Sequence, residues 1–121
     1  MLREIKPSRQ IPGEPRRRWF TSSNIDLIVW LDDAESPTGF QLCYDKEHHE
    51  HALTWTRRAG YSHMAVDPGE PRPARHKATP ILVADGNFDA KRILEEFRRE
   101  ARSLPPELAQ LVEQRLHALE T

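Results

Sequence analysis

Two hydrophobic periods divide the chain. From Ile25 to Asp32 the sequence IDLIVWLD alternates, with Ile25, Leu27, Val29 and Leu31 on one side of an extended strand and Asp26, Ile28, Trp30 and Asp32 on the other. The first side is wholly apolar and belongs in a core. FQLCYD repeats the pattern, placing Phe40, Leu42 and Tyr44 opposite Gln41, Cys43 and Asp45. The turn-rich stretch DDAESPTG, residues 32 to 39, lies between them, so the pair reads as an antiparallel hairpin. Arg17 to Thr21 precedes it as a third strand.

The stretch from His51 to Asp67 admits two readings. As strands it makes a second hairpin, Ala52–Arg57 and Tyr61–Val66, turning through Arg58, Ala59 and Gly60. His63 then faces Trp55, and Asp67 faces His51. As a helix it starts at Glu47, aligns Ala52, Trp55 and Ala59, and stops at Gly60. The β-prone run Thr54, Trp55, Thr56 favours the strands. Residues 67–80 form a proline-broken loop, and PILVADG follows as a short buried strand.

Beyond residue 88 the period changes to that of a helix. Ile93, Leu94, Phe97, Ala101 and Leu104 form one stripe, with Asn87 or Asp89 available as a cap. Pro105 and Pro106 interrupt it, and Leu108, Leu111, Val112, Leu116 and Leu119 form a second stripe. Two amphipathic helices need an apolar surface, and one face of an antiparallel sheet supplies it. The expected fold is therefore α+β: a meander of about four to six antiparallel strands, packed on one face by two C-terminal helices. Proline-rich residues 1–15 are expected to be a flexible arm, and 16–121 a single α+β domain.

Composition narrows the function classes. A chain of 121 residues is one domain in length, and 37% hydrophobic with 31% charged residues is a globular balance. The net charge of -1 argues against a general nucleic-acid binder, whose affinity comes mainly from basic contacts to phosphate. A single cysteine, Cys43, excludes an internal disulfide and, with no signal peptide in view, points to the cytoplasm. The longest apolar run, Leu27 to Leu31, is far too short to span a membrane, so no membrane partner is expected.

The strings VWLDD, FQLCYDK, EHALTW, VDPGE and TPILVADGNFD resemble those of a group of short bacterial proteins from uncharacterised open reading frames. The resemblance runs from about residue 17 onward and implies a bacterial source. It implies no activity, cofactor or catalytic residue.

Four constellations carry candidate chemistry. In YDKEHHEHALTW, His49 and His51 share one strand parity. On the hairpin reading His63 and Asp67 join them as a candidate zinc or nickel site, although the H-E-x-x-H spacing is absent. The competing reading is a charged turn. Asp85, Asn87, Asp89 and Glu96 fall at calcium-loop positions, but Ala90 stands where that loop needs glycine. Cys43 sits mid-strand with no basic neighbour to activate it, so it reads as structural. Finally, Arg17, Trp19, Ile28 and Trp30 fall on the side of their strands away from the apolar face. Aromatic residues with arginine are enriched in protein interfaces, so this surface is expected to bind a protein partner or a second copy as a homodimer. Arg16 to Trp19 also has the composition to stack single-stranded nucleic acid, a third choice given the charge. A non-catalytic binding protein is the leading expectation, and a metal-binding protein or metal-dependent enzyme using His49, His51, His63 and Asp67 is the alternative.

Overall fold

The computed structural model describes residues 1–6, 10, 12–13, 15–47, 49–65, 79–80 and 88–120. Among the described residues, seven strands make one antiparallel sheet in sequence order: β1 (Arg3–Ile5), β2 (Arg16–Thr21), β3 (Asp26–Leu31), β4 (Pro37–Tyr44), β5 (His51–Thr56), β6 (Gly60–Ala65) and β7 (Thr79–Pro80). The helices α1 (Ala90–Glu100) and α2 (Pro106–His117) follow. This is the expected α+β meander, with short edge strands added at both ends.

Alternation makes the core. Leu27, Val29, Phe40, Leu42 and Leu53 are completely buried on one sheet face, against Phe97, Val112 and Leu116 of the helices. Fully burying a side chain of this size stabilises by roughly 1.5–3 kcal/mol. Both helical stripes read from the sequence join this cluster, Leu111 only at its margin. Asp89 caps α1 by accepting from the Arg92 N–H at 3.2 Å. Pro106 opens α2 at a position where its missing N–H has no helical partner to lose.

Polar ties fix the helices to the sheet. Arg92 on α1 holds Asp45 with two N–H donors, at 3.0 and 3.2 Å. The Tyr61 hydroxyl donates to the Arg115 carbonyl at 2.8 Å, and the Arg115 guanidinium lies 4.2 Å from the Trp55 ring centroid. Asn24 donates to the buried Glu100 carboxylate at 3.0 Å.

Two local expectations change, and one open choice is decided. The stretch 1–15, read as an arm, contributes β1, and Leu2 is buried against the helix side with its N–H on the Glu100 carbonyl at 2.8 Å. Its hydrophobicity outweighs the prolines that follow. Residues 51–56 are strand, which decides against the helix. The β5–β6 turn comprises 57–59 and closes on the pair Thr56–Gly60. Gly60, with φ at +76°, takes the left-handed position that ends a three-residue hairpin loop. Pairing therefore shifts by two residues: Tyr61 faces Trp55, His63 faces Leu53, and Ala65, not Asp67, faces His51. The 67–80 loop and the PILVADG strand lie outside the described residues, except Thr79 and Pro80.

Candidate binding face

The side chains that alternate away from the core line up across the sheet in three rows. The first runs Ile5, Trp19, Ile28, Gln41, Thr54, Ser62. The second runs Arg17, Trp30, Gly39, Thr56, Gly60. The third runs Arg3, Thr21, Asp26, Cys43, Ala52, Met64. Both helices pack on the opposite face. Arg17, Trp19, Ile28 and Trp30 thus adjoin as two cross-strand pairs, Arg17–Trp30 and Trp19–Ile28, all half-buried. The Arg17 guanidinium lies 5.8 Å from the Trp19 ring centroid.

The third row is locked by its own charges. Thr21 donates to Asp26 at 2.5 Å, and the Lys46 ammonium sits 3.0 Å from the same carboxylate. Burial, with help from the charges of Glu50 and Asp26, pushes the Cys43 thiol up to about 12. At neutral pH it is a thiol and not a nucleophile, as its mid-strand place implied.

Two clefts flank the second row. The larger, about 730 Å³, lies among Glu4, Gln10, Arg16, Arg17, Arg18 and Glu35. Its charges satisfy one another. Arg18 grips Glu4 with two bonds at 2.7 and 2.8 Å, and this holds the Glu4 carboxyl below its ordinary range. Arg16 pairs with Glu35, and the Gln10 amide bonds both the N–H and the carbonyl of Arg17, replacing a strand neighbour there.

The second cleft, about 580 Å³, is apolar. Trp30, Pro15, Thr38 and Thr56 line it, with Arg57 and Arg58 at the rim. Sequence reasoning missed it, and three local features build it. The β3–β4 register shifts after Trp30, so Thr38 bulges out of the pairing. Gly39 leaves the row empty beside Trp30, where a Cβ would stand 2.6 Å from the Trp55 carbonyl oxygen. The Arg57 N–H takes the Thr38 carbonyl at 2.9 Å, which draws the hairpin turn against the bulge. Arg57 Nη2 donates to the Pro37 carbonyl at 3.3 Å. The only sequence signal was the glycine closing SPTG, where turn becomes strand.

The histidines form a separate cluster on the helix side of the sheet. His51 and His63 stack with ring centroids 5.0 Å apart, and Phe88 meets His63 edge-on at 5.4 Å. Burial raises the Tyr44 phenol, which keeps its proton at neutral pH, and its hydroxyl is hydrogen-bonded to His63 Nε2 at 2.5 Å. His51 Nδ1 donates to the His49 carbonyl at 2.6 Å. His49 itself has φ at +57° in the turn before β5, so it breaks the strand parity that joined it to His51. Asp67 and His48 lie outside the described residues, as do Asp85 and Asn87 of the calcium-like spacing. Among the described residues, no three His, Cys, Asp or Glu side chains converge as metal ligands. Among them too, no helix is long and apolar enough to cross a membrane.

No family model, curated protein or solved structure matches this chain.

Proposed function

We propose that this protein is a non-catalytic binding module that takes a protein partner, or a second copy of itself, on the sheet face away from α1 and α2. The observation that supports this reading is the adjacency of Arg17, Trp19, Ile28 and Trp30 on the face away from both helices. Aromatic residues and arginine dominate binding hot spots because they carry large area with a polar handle. The test is comparative capture from the source organism. The wild type, Trp30→Asp and a helix-surface control, Arg99→Glu, are used as baits at equal concentration. A partner retained by wild type and control but lost by Trp30→Asp supports the face. A partner set indifferent to Trp30→Asp, with no change in self-association on dilution, contradicts it.

A second reading, zinc or nickel binding, draws on the contact of His51 with His63. The Tyr44 hydroxyl already engages His63 Nε2, so a metal there has to displace it. Zinc titration followed on the histidine ring protons is the test. Stoichiometric shifts at His51 and His63 at micromolar metal support the site, and diffuse broadening at millimolar metal contradicts it.

A further inference from the structure

The two clefts differ in what they leave unmet. In the larger, Arg16, Arg18, Glu4 and Glu35 are paired within the chain, so a charged ligand has to break existing bonds. In the smaller, no acid pairs with Arg57 or Arg58 among the described residues. Trp30, cross-strand from Gly39, lines it, and its volume of about 580 Å³ falls within the roughly 300–1,000 Å³ of ligand clefts. Arg57 is held at both ends, by its N–H on the Thr38 carbonyl and its guanidinium on the Pro37 carbonyl. A fixed guanidinium loses less freedom on meeting a carboxylate than a mobile one.

We infer that this groove takes an acidic peptide segment of the partner, seating an apolar side chain against Trp30 and placing carboxylates on Arg57 and Arg58. The inference rests on the binding face proposed above and names the partner's chemistry. Charge complementarity selects the occupant. The groove needs one apolar group to cover Trp30 and negative charge at one rim. A second copy of this chain brings to it a face bearing Arg3, Arg17, Arg57 and Arg58, so like charges meet. Single-stranded nucleic acid wants a basic track along several phosphates, whereas the neighbouring Arg16 and Arg18 are already paired with Glu35 and Glu4 and the net charge is -1.

The probe is a fluorescein-labelled nonapeptide with a central Leu-Phe pair flanked by Asp and Glu, titrated by anisotropy at low salt. Its comparators replace the acids by Lys, replace Leu-Phe by Ala-Ala, or substitute a labelled oligo(dT) of similar length. The acidic Leu-Phe peptide is expected to bind about tenfold or more tighter than each comparator. Arg57→Glu with Arg58→Glu, and separately Trp30→Ala, are each expected to weaken it by about tenfold or more while the protein stays folded, as read by its cooperative unfolding transition, and Arg99→Glu leaves it unaltered. Equal binding of the Lys peptide, tighter binding of oligo(dT), or affinity indifferent to the groove variants overturns the inference. So does the absence of peptide binding. A captured partner lost by Trp19→Ala but kept by the double arginine variant retains the binding face and overturns the groove. A partner kept by both overturns both.

Discussion

The same strands present two very different faces. On one, Leu27, Val29, Phe40, Leu42 and Leu53 are fully buried beneath two helices. On the other, Trp19, Ile28 and Trp30 stay half-buried among arginine, glutamine and threonine, on the side away from α1 and α2. The first face pins the register, because a one-residue slip would carry every core side chain to the wrong side. The second face is released from that duty. It tolerates a bulge at Thr38, a glycine gap at Gly39 and a cationic turn at Arg57–Arg58, which together make a groove. Stability is concentrated on one face and chemical variety on the other.

Substitutions that break this contrast rank by the face they touch. Phe97→Ala empties the centre of the covered face and is expected to cost about 3–5 kcal/mol, read as the loss of unfolding free energy in urea. Gly39→Val crosses between the faces. Its side chain has to move the Trp55 carbonyl and the Thr56 methyl, so a loss of roughly 1–3 kcal/mol is expected together with a filled groove. Trp30→Ala, on the open face, is expected to change unfolding free energy by about 1 kcal/mol or less while weakening peptide binding by about tenfold or more. A loss comparable to that of Phe97→Ala would erase the distinction between the faces.

The smallest effect sharpens the boundary between them. Arg18 depresses the Glu4 carboxyl in the folded state, chiefly through their hydrogen bonds. A depressed folded value contributes stability that is present above the unfolded value and is lost as pH falls through the folded one. Glu4→Gln should therefore flatten the acid limb of the stability profile and lower stability at pH 7 by no more than about 1 kcal/mol. A flat acid limb already present in the wild type would contradict the pairing. Cys43 gives a companion readout. With its thiol pushed up to about 12, native protein at pH 8 should react with a disulfide reagent far more slowly than the urea-unfolded chain.

What the sequence made legible follows the same division. The alternation of Ile25 to Leu31 and Phe40 to Tyr44, and the stripes Ile93–Leu104 and Leu108–Leu119, located the covered face because burial imposes a period. The placement of Arg17, Trp19, Ile28 and Trp30 away from that face followed from the same parity. The groove was not legible, because a bulge and a close backbone approach leave no periodic trace. The histidine geometry was misaligned for a related reason. Gly60 closes a three-residue loop instead of sitting within the turn, and a left-handed His49 ends the parity expected to carry it beside His51. Turn geometry fixes register, and it depends on backbone angles that a hydrophobic pattern does not encode.

The three tryptophans offer the most direct measurement, since Trp19 and Trp30 mark the open face and Trp55 the covered one beside Arg115. Their indole N–H signals are followed in a two-dimensional 15N spectrum as the acidic Leu-Phe peptide is added. The account predicts saturable shifts at Trp30, smaller shifts at its diagonal neighbour Trp19, and a stationary Trp55. A shift confined to Trp55, or no shift at Trp30 with peptide in excess, would contradict it.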